Sequence, residues 1–337
     1  MNPGNFKKVA ELQAMDVRPA NNSLLSGGQP VVLRGLVKAW PLVEKANEGP
    51  HVACEYLMRF YQGRPFPLIT ADPEIRGRFF YRDDMSGVNF QRTPVTLDVG
   101  IQRLLATIDH ANPSSVYIQS LPVSEYLPGF AALHGMSLLD SSITPRIWIG
   151  NALTVQTHFD LLKNVACVVA GKRRFILFPP EQLPNLYIGP LDFTLSGPPV
   201  SMVSLHEPDF EKYPRFRIAL EHAQIAELQS GDALYIPYAW WHHVESLSTF
   251  NILVNYWWND VRPNMPPFDS LLHALAAIRE LPEGERKVWR TMFDYFVFRT
   301  DDNPLSHLSP EHRGLMGDLT PQRISEIKTI LQRSLQR

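Results

Sequence analysis

The residues best suited to chemistry are Thr157-His158-Phe159-Asp160 and, 84 positions after His158, the run Trp240-Trp241-His242-His243-Val244-Glu245. Together they can supply two imidazoles and a carboxylate to one divalent ion. Placed on one face of an octahedron, that donor set leaves three positions open, the arrangement that non-haem Fe(II) oxygenases use. A His-x-Asp pair alone says little, since 11 histidines and 34 acidic residues in 337 predict about one chance His-x-Asp/Glu. The chain has two, the other being His243-Val244-Glu245. Geometry adds a condition. Residues i and i+2 of an extended strand point the same way, so His158 and Asp160 can reach one ion. His242 and His243 face opposite ways on a regular strand, so only one of them joins it.

These residues need a sheet to hold them. From Ser115 to Trp258 the pattern is one of short strands separated by turns, as in a sandwich or barrel. Strands are expected at Val116–Gln119, Arg146–Gly150, the segment carrying His158, Asn164–Ala170, Arg173–Phe178, Ile225–Leu228, Ala233–Pro237 and Phe250–Trp258. Turns at Gly171-Lys172 and Ser230-Gly231-Asp232 make hairpins of their flanks. Residues 181–215 are too rich in proline for regular structure.

Ahead of this region the spacing predicts a short helix within residues 1–30, turning at Ser26-Gly27-Gly28, then a strand over Pro30–Val37 and a helix over Val52–Phe60. Strands at Pro67–Thr70 and Gly77–Tyr81 and an amphipathic helix over Leu97–Ile108 follow. After Asp260 the strands stop. Helices are expected at Phe268–Ile278 and Val288–Phe296, and a third opens at Thr320 as N-cap with Pro321 in its first turn. The organisation is an N-terminal α/β flank (1–114), a β core (115–260) and a C-terminal helical appendage (261–337).

Composition excludes several classes. A length of 337 residues with 45% hydrophobic and 20% charged content suits a globular core, and the 29 prolines exclude a fold of long helices. A net charge of −2 gives no electrostatic reason to expect a nucleic-acid partner. Cys54 and Cys167 are the only cysteines and sit in apolar runs, so free thiols are expected and a cysteine-based zinc site is excluded. The first residues lack an apolar signal core, and no apolar run approaches the ~20 residues that span a bilayer, so a cytoplasmic, membrane-free protein is expected.

An ordered set of motifs narrows this further. They are Pro30-Val31-Val32-Leu33-Arg34-Gly35 with Trp40-Pro41, Thr157 to Asp160, Gly171 to Pro180, Pro208 to Pro214, and Gly231 to Pro237 running on to Trp241-His242. Spread over roughly residues 25–260, they resemble the cupin-like JmjC oxygenases, most of all the asparaginyl-hydroxylase branch. The resemblance implies a mainly β fold with some helix, a double-stranded β-helix (jelly roll). It also implies Fe(II), 2-oxoglutarate as cosubstrate, and O2. The reaction implied is hydroxylation of a peptide or protein side chain or a small molecule, coupled to decarboxylation of 2-oxoglutarate to succinate.

Position by position, the resemblance implies His158, Asp160 and His242 as metal ligands and leaves the pair His243 and Glu245 as coincidence. It implies Arg173 as the cation for the distal carboxylate, where near relatives have a lysine two residues after the turn glycine. Lys172 is the alternative if the turn shifts by one residue. Tyr117 matches a hydrogen-bond donor to that carboxylate, and Asn164 and Asn255 match polar positions beside cosubstrate and iron. Gln119 matches a substrate-side residue, while Val155 stands where a cosubstrate-binding threonine is usual, with Thr157 nearby. Tyr238, Trp240 and Trp257 are candidate substrate contacts. The C-terminal helices, with Trp289, Phe293 and Phe296, resemble dimerising helices and imply a homodimer. Two rival readings keep the fold: a catalytically silent binding protein, favoured by Arg173 and Val155, and a non-oxygenase zinc or manganese enzyme.

Overall fold

The computed structural model describes residues 6–16, 27–260, 265–299 and 305–336. They divide into two units, Met1–Asn259 and Asp260–Arg337. The first unit opens with strands β1 (Lys7–Lys8), β2 (Ala10–Gln13), β3 (Val31–Arg34), β4 (Phe66–Ala71), β5 (Gln91–Val95) and β6 (Ser115–Pro122). Then come β7 (Arg146–Gly150), β8 (Thr154–Phe159), β9 (Lys163–Ala170), β10 (Lys172–Phe178), β11 (Gln224–Gln229), β12 (Ala233–Ile236), β13 (Trp241–Ser246) and β14 (Asn251–Trp258).

A nine-stranded sheet has the order β2-β3-β12-β9-β14-β7-β6-β4-β5, and a five-stranded sheet the order β1-β11-β10-β13-β8. From β7 to β14 the chain passes between them, leaving β12-β9-β14-β7 adjacent in one sheet and β11-β10-β13-β8 adjacent in the other. Every pairing within these two quartets is antiparallel. This is the expected double-stranded β-helix. β2 to β5, from the N-terminal flank, and β6 extend the same large sheet.

Burial explains why the central strands read as unbroken apolar runs. In β9, Ala166 and Val168 face the space between the sheets, whereas Val165, Cys167 and Val169 face an outer core. A strand covered on both sides keeps no polar face. Helices Pro41–Glu48, Pro50–Met58 and Leu97–Leu105 supply that cover through Leu42, Val43, Leu57, Leu97 and Leu104.

The structure corrects several expectations. Gly171 and the turn 230–232 do not close hairpins. β9 pairs with β12 and β14, while β10 pairs with β11 and β13, so each turn carries the chain from one sheet to the other. Gly171 has φ +77°, and a Cβ there would lie 2.6 Å from the Phe250 carbonyl oxygen, so this corner requires glycine. Residues 6–16 form β1, β2 and a 3-10 turn rather than a helix, because parallel pairing to β11 and β3 takes their backbone groups. The rest of that expected helix, with Ser26, lies outside the described residues. Gly77–Tyr81 makes only isolated bridges, Arg78 to Thr154 and Tyr81 to Val88. The edge strand β5 was not expected, since its exposed, polar Gln91-Arg92-Thr93 carries no apolar alternation. The stretch expected to be irregular holds one 3-10 helix, Pro180–Asn185.

In the second unit, helices span Pro267–Ile278, Glu283–Phe293 and Pro321–Leu335. As expected, Thr320 caps the last one, its Oγ1 accepting from the Arg323 amide at 3.3 Å. No helix among the described residues is long and apolar enough to cross a membrane.

One buried histidine ties the outer core together. The Leu42 amide donates to His134 Nε2 at 3.2 Å, and His134 Nδ1–H donates to the Phe130 carbonyl at 2.8 Å. Its ring stacks on Phe130 at 3.7 Å. Burial holds this imidazole below its usual pKa, opposed by the Phe130 hydrogen bond. Because the folded value is depressed, the unfolded chain takes up the proton first as pH falls, and stability present above about pH 6.5 is lost below it. The prediction is that the unfolding free energy declines as pH drops below about 6.5, and that His134→Ala lowers stability at neutral pH while reducing this slope; denaturant titrations across pH read both.

Candidate metal centre

β8 and β13 are antiparallel neighbours with His158 directly opposite His242 and Phe159 opposite Trp241. On the other side of β13, β10 sets Leu177 opposite His242, Phe175 opposite Val244 and Arg173 opposite Ser246. Strand alternation turns His158, His242, Val244, Phe175 and Arg173 to one face, and all five line a single narrow cavity of about 50 Å³. Asp160 follows the end of β8 and lines the same cavity.

His158, Asp160 and His242 each bring one ligand atom within 4.8 Å of the others. His242 Nε2 lies 3.6 Å from Asp160 Oδ2, and the two imidazole centroids are 4.2 Å apart. In both rings Nδ1–H donates to a carbonyl two residues back, His158 to Gln156 at 2.8 Å and His242 to Trp240 at 3.0 Å. In the neutral form each ring then presents a bare Nε2 to a ligand, the arrangement in which metal-binding histidines are usually held. Asp160 Oδ2 is buried without a hydrogen-bond partner. Burial first, then the neighbouring His158, pushes His242 down to about 4, against the pull of Asp160. A neutral imidazole is the metal-binding form. The orphaned oxygen and fixed tautomers fit a divalent ion.

The other end of the cavity holds Arg173 and Tyr117. Arg173 is four residues before Leu177 on β10, which places its backbone ~13 Å along the strand from the His242 row. Its side chain is buried, its Nε has no partner, and it shares the cavity wall with Tyr117. Burial pulls the guanidinium below its usual pKa, and Tyr117 opposes this. Burial likewise pushes the Tyr117 phenol up to about 12, with Arg173 opposing, so the phenol keeps its proton at neutral pH. Along the wall, Trp148 Nε1–H donates to Asn255 Oδ1 at 2.7 Å, and Asn255 Nδ2–H donates to Asn164 Oδ1 at 3.2 Å. Val155 gives an apolar surface here, and Trp257 lies half-buried on the lining.

Other expected residues lie elsewhere. Lys172 is exposed at the corner, one position off the inward face that Arg173 occupies. Thr157 does not replace the missing threonine, because it points away and its Oγ1 lies 3.2 Å from His243 Nδ1. Gln119 is outside the cavity lining and accepts from Ser196 Oγ at 3.0 Å. Trp240 and Tyr238 line a separate groove with Pro179, Pro180 and Gly28, and the Trp240 indole donates to the Gly28 carbonyl at 3.1 Å. The tight turn ahead of β13 aims them there. Trp148, Phe175 and Leu253 complete the cavity and were not singled out from sequence, although the alternation of their strands places each inward.

Comparisons with known proteins agree with this geometry. A family model described as a cupin-like domain matches residues 18–264. The chain is 36% identical over 121 residues to a lysine-specific demethylase of Arabidopsis thaliana, covering 35% of this chain and 22% of that protein. It is 33% identical over 150 residues to tRNA wybutosine-synthesizing protein 5 of Gallus gallus, covering 40% and 44%. To Jumonji C domain-containing protein 5 of Drosophila melanogaster it is 25% identical over 255 residues, covering 74% and 59%. The matches thus span 22% to 59% of the lengths of these curated relatives. With a matched domain that takes in β3 to β14, the His158-Asp160-His242 cluster and the Arg173 cavity, the chain belongs to the cupin-like JmjC family.

Proposed function

We propose that the chain is an Fe(II)- and 2-oxoglutarate-dependent oxygenase that hydroxylates a peptide or protein side chain or a small molecule. The observation that carries this reading is one cavity with a His-Asp-His cluster at one end and a buried guanidinium at the other. The family, whose members are in general oxygenases of the 2-oxoglutarate type, supports it. Fe(II), bound with 2-oxoglutarate and O2, supplies the oxidising chemistry that couples decarboxylation to substrate hydroxylation.

The chain's own residues do the positioning. His158, Asp160 and His242 would hold the ion, three donors being what such a centre takes from its protein. Arg173 takes the distal carboxylate of the cosubstrate through charge-assisted hydrogen bonds, and arginine offers a planar fork where lysine offers a point charge. Tyr117, on the same cavity wall as that guanidinium, keeps its own proton to donate to the same carboxylate. Phe175, Val244, Leu253 and Val155 exclude water from between, which strengthens the attraction. Trp257, its indole N–H buried without a partner, is the substrate-side contact that remains in the cavity.

Val155 gives a second reading some support. An apolar wall where a hydroxyl is usual suits a binding protein that holds the ion and diacid without turnover. A zinc or manganese enzyme on the same three ligands is separated from both by metal analysis and oxygen dependence.

Anaerobic addition of Fe(II) and then 2-oxoglutarate is expected to give metal-to-ligand charge-transfer absorbance that is absent in His158→Ala. Equal spectra for the two proteins sink the oxygenase reading, while a normal spectrum without succinate formation favours the silent one. Arg173→Ala is expected to weaken 2-oxoglutarate binding about 10- to 100-fold, the equivalent of ~1.5–3 kcal/mol of charged hydrogen bonding, with Fe(II) binding retained.

The C-terminal unit supports a homodimer. Among its described residues, no side chain of helices Pro267–Ile278, Glu283–Phe293 and Pro321–Leu335 is buried, and Leu271, Leu272, Trp289 and Met292 are exposed apolar groups. A second copy presenting the same face would cover them. Light scattering is expected to give twice the chain mass, and a monomer mass refutes the pairing.

A further inference from the structure

Among the described residues, a second group of three donors lies on the opposite face of β13. His206, His243 and Glu245 each offer one ligand atom within 4.8 Å of the others. Adjacent His242 and His243 leave the strand on opposite faces, so β13 serves both clusters. His206 Nε2 and His243 Nε2 lie 3.2 and 3.5 Å from the same oxygen, Glu245 Oε1. The two interior residues each have one donor atom committed and one turned into the gap. His243 Nδ1 lies 3.2 Å from Thr157 Oγ1, while its Nε2 is buried with no hydrogen-bond partner. Glu245 Oε2 accepts from Arg174 Nη1 at 3.1 Å, leaving Oε1 for the cluster.

Accessibility and charge suit a cation. The His206 side chain is 57% exposed, which opens a path from solvent. Arg174, between Glu245 and Glu227, and Arg78, facing His243 and drawn to Glu207, set two guanidiniums against three carboxylates. Glu245 is itself a donor of the cluster, so the two guanidiniums are balanced by Glu227 and Glu207 and the ligand carboxylate supplies the net negative charge.

We propose that His206, His243 and Glu245 form a second metal site that binds Zn(II), with water in the fourth position. Two imidazole nitrogens and one carboxylate oxygen are a common zinc donor set. The ion braces the fold. His206 belongs to the segment that crosses the outer face of the small sheet, and the ion fastens it to the strand that presents His242. That segment is already joined to β8 where the Ser201 amide donates to the Thr157 carbonyl at 2.7 Å. This site is independent of the oxygenase reading.

The test uses the full chain stripped of metal by a chelator and titrated with Co(II), with stoichiometry read by native mass spectrometry. Four-coordinate Co(II) absorbs far more strongly in the visible than six-coordinate Co(II), so the two sites differ in spectrum. The strong bands are expected in the unmodified protein and in Asp160→Ala, lost in His206→Ala and Glu245→Gln, and displaced by Zn(II). Zn(II) should raise the thermal midpoint of Asp160→Ala but not of the double variant that also carries His206→Ala. His206 is mostly exposed, so its alanine variant folds, and circular dichroism checks this. Retention of the strong bands in His206→Ala, or their loss in Asp160→Ala, overturns the proposal. Should the iron reading fail instead, Asp160→Ala loses no equivalent while His206→Ala still loses one.

Discussion

The antiparallel pairing of β8 with β13, which sets His158 across from His242, is the constraint on which the rest of the structure depends. Neither strand could meet the other without the chain's repeated passage between sheets, because they are separated by β9 to β12 in sequence. The passage in turn needs corners rather than hairpins, and Gly171 makes one of them. Once the two strands are neighbours, the two-residue period of a strand does the sorting. It sends imidazoles, Val244 and Phe175 inward, and sends Thr157, His243 and Glu245 the other way.

Arg173 shows what the interior gives up for its chemistry. An unpaired charge taken out of water costs several kcal/mol. Tyr117 offsets only part of it, and Nε remains without a partner. The fold tolerates this because the flanking strands contribute a large apolar interior, with Ala166, Val168, Phe175, Leu177, Val244 and Leu253 all buried between the sheets. The cavity is thus less stable than an apolar one of the same shape would be, and an anion bound to Arg173 would offset the difference. Stability and binding are in opposition at this residue.

Much of the fold was legible because its signals are local. Turn residues and β-branched runs marked the strands from β6 to β12 and β14, and Thr320-Pro321 marked the last helix to the residue. What escaped depends on partners distant in sequence. Whether a strand turns back on itself or crosses to another sheet is decided by pairing, which an apolar run such as Val165–Ala170 does not disclose. β1 and β2 are strands only because β11 and β3 offer free edges. For the site, spacing on a strand paired His158 with Asp160, while His242, Arg173 and Tyr117 followed from the family resemblance, and all five line one cavity. Trp240 and Tyr238 went elsewhere because they sit on the turn, where alternation does not apply. His206, in a proline-rich stretch without periodicity, gave no sign of its neighbours.

The two adjacent histidines of β13 also determine how the chain tolerates changes in length. Loss of one residue from the turn before Trp241 would carry His243 into the place of His242, so an imidazole would still face Asp160. A metal held by these side chains would be nearly indifferent. The interior would not, because Glu245 would take the place of Val244 opposite Phe175 and bury a carboxylate in an apolar wall. Insertions and deletions ahead of this strand are therefore policed by the valine and glutamate that follow the histidines, and a lineage could lose its fold there long before it lost an imidazole facing Asp160.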